Sequence, residues 1–197
     1  RFGHKITSID DIVEVDYSQN YEGNDKERDR KYRHIIFFAY ENIISGNYRM
    51  AREELEMAAG LKARGNYELG KFYYYCKSDN QNAVNMFRFA YNDGINEAVY
   101  YLGKIEEESG NIELAIDWYN EGAKKGDINS ITRLGKIAEE KNDYKKAEEF
   151  YLKAADTKDA GEIYNLVNLY FKQNMREKVI EWQKKLMNEK QITGLTF

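Results

Sequence analysis

The chain has 197 residues, 42% hydrophobic and 32% charged, with one cysteine, no proline and a net charge of −4. One cysteine cannot close an internal disulfide, no run approaches the roughly 18 apolar residues that cross a bilayer, and the acidic balance argues against nucleic acid, whose binders carry a basic stripe. The length suits one domain or one repeat array with a real core, the missing proline fits closely joined helices, and a mean hydropathy of −0.81 fits an elongated body that exposes much surface.

Residues 1 to about 24 stand outside any periodic pattern. Ile12, Val13, Val15 and Tyr17 suit a strand, while Ser8 suits the cap of a short helix through Asp10 and Asp11; both readings stay open. Arg1 is not an initiator methionine, which implies residues upstream, with an export signal among the candidates. The compartment is therefore left open. Asn24 to Arg33 is dense in mixed charge and is expected to open a first helix that continues to about Ser45. This divides the chain into an amino-terminal segment 1–33, an array 34–190 and a tail 191–197.

Within the array, Ala51, Ala83, Ala115 and Ala147 recur every 32 residues, and Val179 continues the series. Seven residues after each stand Ala58, Ala90, Gly122, Ala154 and Leu186. Three and four after stand Glu54-Leu55, Met86-Phe87, Trp118-Tyr119, Phe150-Tyr151 and Trp182-Gln183. Turn formers hold the same register at Gly46, Ser78, Gly110, Asn142 and Asn174. Upstream of each Ala lies a second helical run, with Leu69-Gly70-Lys71, Leu102-Gly103-Lys104 or Leu134-Gly135-Lys136. Its first counterpart is Phe38-Ala39-Tyr40 and its last is Leu166-Val167-Asn168. The second unit holds one extra residue between its Leu and its Ala, assigned to Lys77–Gln81. Each of five units therefore reads as helix, short turn, helix. Gly and Asn suit the turn because they accept the left-handed backbone that ends a helix. The small residues let neighbouring helices approach closely. After the array, Ile192, Leu195 and Phe197 belong to a tail that leaves the last helix to cap it or to reach a neighbour.

Ala115-Ile116-Asp117-Trp118-Tyr119, followed by Gly122-Ala123, Gly126, Ser130 and Leu134-Gly135, resembles the second half of a Sel-one-like repeat. Ala147, Phe150-Tyr151 and Ala154-Ala155 fit the same pattern, as does Ala98 before Leu102-Gly103. The turn within each unit is about four residues shorter than in that family, and there the Leu-Gly to Ala spacing resembles the tetratricopeptide repeat (TPR), without the Pro that often closes one. The resemblance implies an all-α fold, a right-handed α-solenoid or superhelix of five helix–turn–helix repeats, and an array that binds other proteins.

Catalytic chemistry finds little support. His4 and His34 belong to no metal-ligand spacing, and no Walker loop, dinucleotide fingerprint or nucleophile elbow occurs. No bound metal or organic cofactor is expected. The acidic stretch Ser18 to Asp29 suggests a calcium loop with Gly23 sixth, but Ser18 stands where the motif wants Asp, Lys26 where a ligand belongs, and Asp29 is one methylene shorter than the expected Glu. A solvated linker fits better. Cys76 reads as a structural thiol near a helix end, and the many acidic residues as solvated helix faces.

Helical angles identify a candidate binding face. With the repeat Leu at the core, positions two before, two after and five after it fall at about 160°, 200° and 140°, opposite the core. Those positions carry Tyr67, Tyr100, Thr132 and Tyr164; Lys71, Lys104, Lys136 and Asn168; and Tyr74, Glu107, Glu139 and Phe171. The first unit supplies Ile36, Tyr40 and Ile43. In the resembled families this face lines the inner, concave surface. Tyr67, Lys71, Tyr74, Tyr100, Lys104, Lys136, Tyr164 and Phe171 therefore form a candidate groove for an extended peptide or a partner surface, with acidic side chains or a carboxylate meeting the lysines. The competing reading buries some of these residues against the next unit, or covers Ile36, Tyr40 and Ile43 with the amino-terminal segment. Phe87, Trp118, Tyr119, Phe150 and Tyr151 read as packing residues, and Trp182 lies in a last unit that loses both Gly and Ala, as a capping repeat does. The functional expectation is a non-catalytic scaffold or adaptor. Its rivals are a homo-oligomer module and an accessory domain that regulates or localises an enzyme.

Overall fold

A computed structural model describes residues 24–155 and 160–192. Ten α-helices and no strand occur among the described residues, and they fall into five pairs. These are α1 Asn24–Ile44 with α2 Tyr48–Leu61, α3 Ala63–Phe72 with α4 Asn80–Asn92, and α5 Ala98–Glu108 with α6 Ile112–Lys124. Then come α7 Ile128–Glu140 with α8 Tyr144–Ala155, and α9 Ala160–Lys172 with α10 Arg176–Ile192. The second helices begin at Tyr48, Asn80, Ile112, Tyr144 and Arg176, so the period of 32 in the sequence is the period of the fold. The fold is an all-α array of helix–turn–helix repeats, of the solenoid class.

The turn inside each pair has one recurrent cause. Gly46, Ser78, Gly110, Asn142 and Asn174 all take a positive φ, between 52° and 86°. That left-handed residue reverses the chain after the first helix, and the following polar residue starts the second. Asp79 accepts from Asn82 N–H at 3.1 Å and Asp143 from Lys146 N–H at 3.2 Å. Each satisfies a donor that the first turn of a helix leaves open.

The extra residue of the second unit does not lie in the turn at Lys77–Gln81. It is absorbed inside the helix, as a π-helical turn over Tyr73–Lys77 that closes when Ser78 N–H donates to the Tyr73 carbonyl, which also accepts from Asp79 N–H at 3.0 Å. A π turn holds one residue more than an α turn, so the insertion widens the helix end and leaves the register of α4 intact.

The chain divides between Ile105 and Glu106, inside α5, into two compact units. In unit 1 the core joins Ile35, Ala39 and Ile43 of α1 to Ala51, Leu55 and Ala58 of α2 and to Leu69 and Phe72 of α3. In unit 2 it joins Ala138 of α7, Ala147 and Tyr151 of α8, and Ile163, Leu166 and Tyr170 of α9. The repeat alanines Ala51, Ala83, Ala115 and Ala147 are fully buried, as are Phe87 and Tyr119. Trp118 and Phe150 are half-buried. The Gly of two Leu-Gly pairs has a packing reason. A Cβ on Gly70 would stand 2.8 Å from the Phe87 ring, and on Gly135 2.5 Å from the Tyr151 ring. Each of these glycines lets the aromatic of the second helix approach the first closely.

One expectation changes at the ends. The helix continues through Gln191 and Ile192, and the rest of the tail lies outside the described residues. So does the strand or helix weighed for residues 1–23. Of the stretch weighed as a calcium loop, Asn24 to Asp29 belongs to α1, where Asp29 pairs with Lys62; Ser18 to Gly23 lies outside the described residues. Trp182 packs half-buried against the unit 2 core, with the Lys185 ammonium 3.8 Å above its ring.

Candidate partner-binding faces

The angular argument places Tyr67 outward, and the structure corrects this: Tyr67 is only 8% exposed. Its ring meets Phe87 edge-on at 5.9 Å and Tyr101 at 5.7 Å, under the Arg64 guanidinium at 4.7 Å. The cause is the stacking of successive repeats. A first helix packs against its own second helix and also against the first helices before and after it, so its side opposite the core is covered by the next repeat. Here α5 supplies that cover through Tyr101. Ile36, Tyr40, Ile43 and Thr132, at equivalent outward positions, are buried too.

Lys71 is likewise not an open cation. Its ammonium lies 2.6 Å from Glu68 Oε2 and 5.1 Å above the Tyr67 ring. Glu68 is buried and also accepts the Tyr40 hydroxyl, with Arg64 Nε 3.6 Å from its other oxygen. Arg64 continues to Glu97 at 2.6 Å. Burial, and then the Glu68 charge, push the Tyr32 and Tyr40 hydroxyls well above their ordinary pKa. This buried carboxylate departs from the solvated faces that the sequence suggests for the acidic residues. Its signal was available: Glu68 immediately precedes the repeat Leu, close to the buried face.

Tyr74, Tyr100 and Lys104 do come together in unit 1, joined by Tyr75, which the sequence reading passed over. The Lys104 ammonium stands 5.1 Å over Tyr74, 5.6 Å over Tyr75 and about 6.0 Å over Tyr100. The π turn brings both Tyr74 and Tyr75 within edge-to-face distance of Tyr101, at 5.9 and 6.1 Å. Tyr101 in turn stacks on Phe87 at 4.6 Å with the planes 13° apart. A cation framed by tyrosine rings thus stands beside a stacked aromatic pair. Tyr75 is exposed, and Tyr74, Tyr100 and Lys104 are half-buried.

In unit 2, Lys136 is exposed, and so are Tyr164 and Phe171, which lie two turns apart on α9. Glu107 and Glu139, read as outward positions, are engaged instead. Glu107 accepts the Tyr119 hydroxyl at 2.8 Å and Arg133 Nε at 2.8 and 2.9 Å. Glu139 accepts the Tyr151 hydroxyl at 2.8 Å and the Lys172 ammonium at 2.6 Å. Hydrogen bonding to Glu107 raises the Arg133 pKa, and burial raises that of the Tyr151 hydroxyl. At Cys76, burial lifts the thiol pKa, which disfavours the reactive thiolate. Among the described residues no cluster of His, Cys, Asp and Glu could hold a metal ion, and no helix is long and apolar enough to cross a membrane.

No family model and no curated protein matches the sequence. Solved structures do. The chain is similar to PilF of Pseudomonas aeruginosa, with a TM-score of 0.64 and 14% identity over 83% of this chain and 78% of that one. It is similar to MamA, with a TM-score of 0.59 and 16% identity over 80% and 97%. It also resembles a putative kinesin light chain of Podospora anserina with nearly identical TPR-like repeats, at a TM-score of 0.55 and 14% identity over 84% and 98%. These define the class as helical-repeat proteins. Within it, the fold is that of the TPR-like arrays.

Proposed function

We propose that the chain is a non-catalytic interaction scaffold that binds an extended segment of a partner protein. The observation that carries this reading is the cluster of Tyr74, Tyr75 and Tyr100 around Lys104 on unit 1. Rings at a surface offer large contact area at low entropic cost. A carboxylate of the partner, from an acidic side chain or a chain end, would meet the Lys104 ammonium while adjoining side chains lie on the rings. Lys136, Tyr164 and Phe171 offer the same chemistry on unit 2. An exposed ion pair contributes about 0–1 kcal/mol, so the rings dominate affinity and the lysines tune selectivity.

The test begins with partner capture by the intact protein and continues with titration of the identified partner against variants. Tyr100→Ala is expected to weaken binding more than Lys104→Ala, with helicity unchanged by circular dichroism. Added salt should weaken the wild type modestly and a Lys104→Ala, Lys136→Ala variant less. Binding that survives every one of these substitutions would refute the proposed face.

A further inference from the structure

Beyond that reading, we infer that the chain self-associates head to tail, with α1 of one copy packing on α9 of the next as though it were the first helix of a following repeat. The junctions within each unit supply the template. The repeat Leu packs against the preceding pair: Leu69 lies in one cluster with Ala39 and Leu55, and Leu166 in another with Ala138 and Tyr151. Leu69, Leu102, Leu134 and Leu166 are at most 5% exposed. Phe38 holds the equivalent place in α1 and is 43% exposed.

In α3, α5 and α7 the residue before the Leu completes the junction by bonding back to the preceding first helix. Glu68 bonds Tyr40, Tyr101 bonds Tyr75 through their hydroxyls at 3.4 Å, and Arg133 bonds Glu107. In α1 this residue is Phe37, which is 48% exposed. Phe37 and Phe38 thus form an exposed apolar pair on this face of α1.

The opposite half of the junction is open on α9. Counted twelve residues back from Phe87, Tyr119 and Tyr151, past the inserted residue, Tyr75, Glu107 and Glu139 occupy equivalent places, and each meets a residue of the following first helix: Tyr101, Arg133 and Lys172. The same place in α9 is Phe171, 73% exposed. Tyr164, equivalent to the buried Tyr67 and Thr132, is 57% exposed. The two open halves match in kind. The internal junctions pair ring with ring at Tyr75–Tyr101 and carboxylate with guanidinium at Glu107–Arg133. Phe37 and Phe171 are both apolar rings, so docking continues the aromatic version of an interface the fold already makes. The contact joins two different surfaces, and such a heterologous contact propagates into chains or closes into rings.

The test is sedimentation velocity of the full chain from micromolar to near-millimolar concentration, with variants blocked at either half. The wild type is expected to associate reversibly. Phe37→Glu alone and Phe171→Glu alone should each remain monomeric, and their equimolar mixture should form a dimer and go no further. Only a head-to-tail contact gives that complementation, because each variant lacks one half and keeps the other. Phe37→Ala and Phe171→Ala, with circular dichroism matching the wild type, should weaken association at least about tenfold and guard against a folding artefact. A wild type that stays monomeric throughout overturns the inference. So does one blocked variant that still self-associates, which would mean a symmetric contact, or a mixture that stays monomeric.

Discussion

Replacing Gly135 by Ala tests the packing that sets the Leu-Gly motif. A Cβ at this position would lie 2.5 Å from Cε1 and 2.7 Å from Cδ1 of Tyr151. The ring has little freedom to retreat, since Tyr151 is 1% exposed and its hydroxyl is tied to Glu139 at 2.8 Å. Overpacking of this kind costs about 1–3 kcal/mol. In the opposite direction, Ala in place of Gly within a helix gains about 1 kcal/mol. The overpacking range exceeds the propensity gain, so the net effect is a destabilisation of up to about 2 kcal/mol. Urea unfolding followed by circular dichroism reads this as a lower midpoint at constant slope. The decisive measurement repeats the substitution in a Tyr151→Leu background, where the obstructing ring is gone. There Gly135→Ala should stabilise by about 1 kcal/mol, giving a coupling of roughly 1–3 kcal/mol between the two sites. An equal gain in both backgrounds would refute the argument, because the ring would then not be what excludes the methyl group.

Two further outcomes follow from the same geometry. Ser78 holds a φ of 52°, which a non-glycine residue adopts at a cost of about 1–2 kcal/mol. Ser78→Gly should therefore raise the unfolding midpoint, and a lowered midpoint would mean that the turn does not need the left-handed residue. Burial holds the hydroxyls of Tyr32, Tyr40, Tyr67, Tyr101, Tyr151 and Tyr170 above their ordinary pKa of 10.0. The fold thus favours their protonated form, so this contribution is complete below 10.0 and is lost as pH rises through the folded values. Phenolate absorbance from these side chains should appear only as helicity is lost; reversible titration of all 17 tyrosines near their ordinary pKa in the folded protein would contradict it.

The period, the turns and the small-residue contacts were all legible in the sequence because each depends on local spacing. Gly46, Ser78, Gly110, Asn142 and Asn174 mark the left-handed turn by residue type alone, and all five adopt it. The candidate face was legible only in part. Counting angles from the repeat Leu treats a helix as having one buried side, whereas a helix in a stack is covered on three. Tyr67 and Thr132 were misplaced for that reason. The buried acids escaped notice because their partners come from neighbouring helices, 26 residues away for Arg133 and Glu107 and 33 for Lys172 and Glu139. Counting also revealed the extra residue of the second unit. It could not say that a π turn would hold it, since a helix end and a loop accept an inserted residue equally well by length.

The positions twelve residues apart across each turn vary together, and their chemistry explains why the junctions differ. Tyr119 bonds Glu107 and Tyr151 bonds Glu139, whereas Phe87 stands opposite Tyr75 and Leu55 opposite Ile43. A tyrosine hydroxyl carried on a ring as buried as Tyr119 or Tyr151 needs an acceptor, and the carboxylate that supplies it needs compensating charge of its own. Arg133 and Lys172 provide that charge from the next first helix. Hydroxyl, carboxylate and cation therefore bind three helices in one chain of bonds. At Phe87 there is no hydroxyl to satisfy, and the third helix is reached through the stacked ring of Tyr101 at 4.6 Å. The two solutions do not exchange one residue at a time. Phe87→Tyr would bring a hydroxyl toward Tyr75 with no carboxylate to receive it, and Glu139→Tyr would strand Lys172. Each junction is a matched set, and this couples the residue types of successive repeats more tightly than the 32-residue period alone would require.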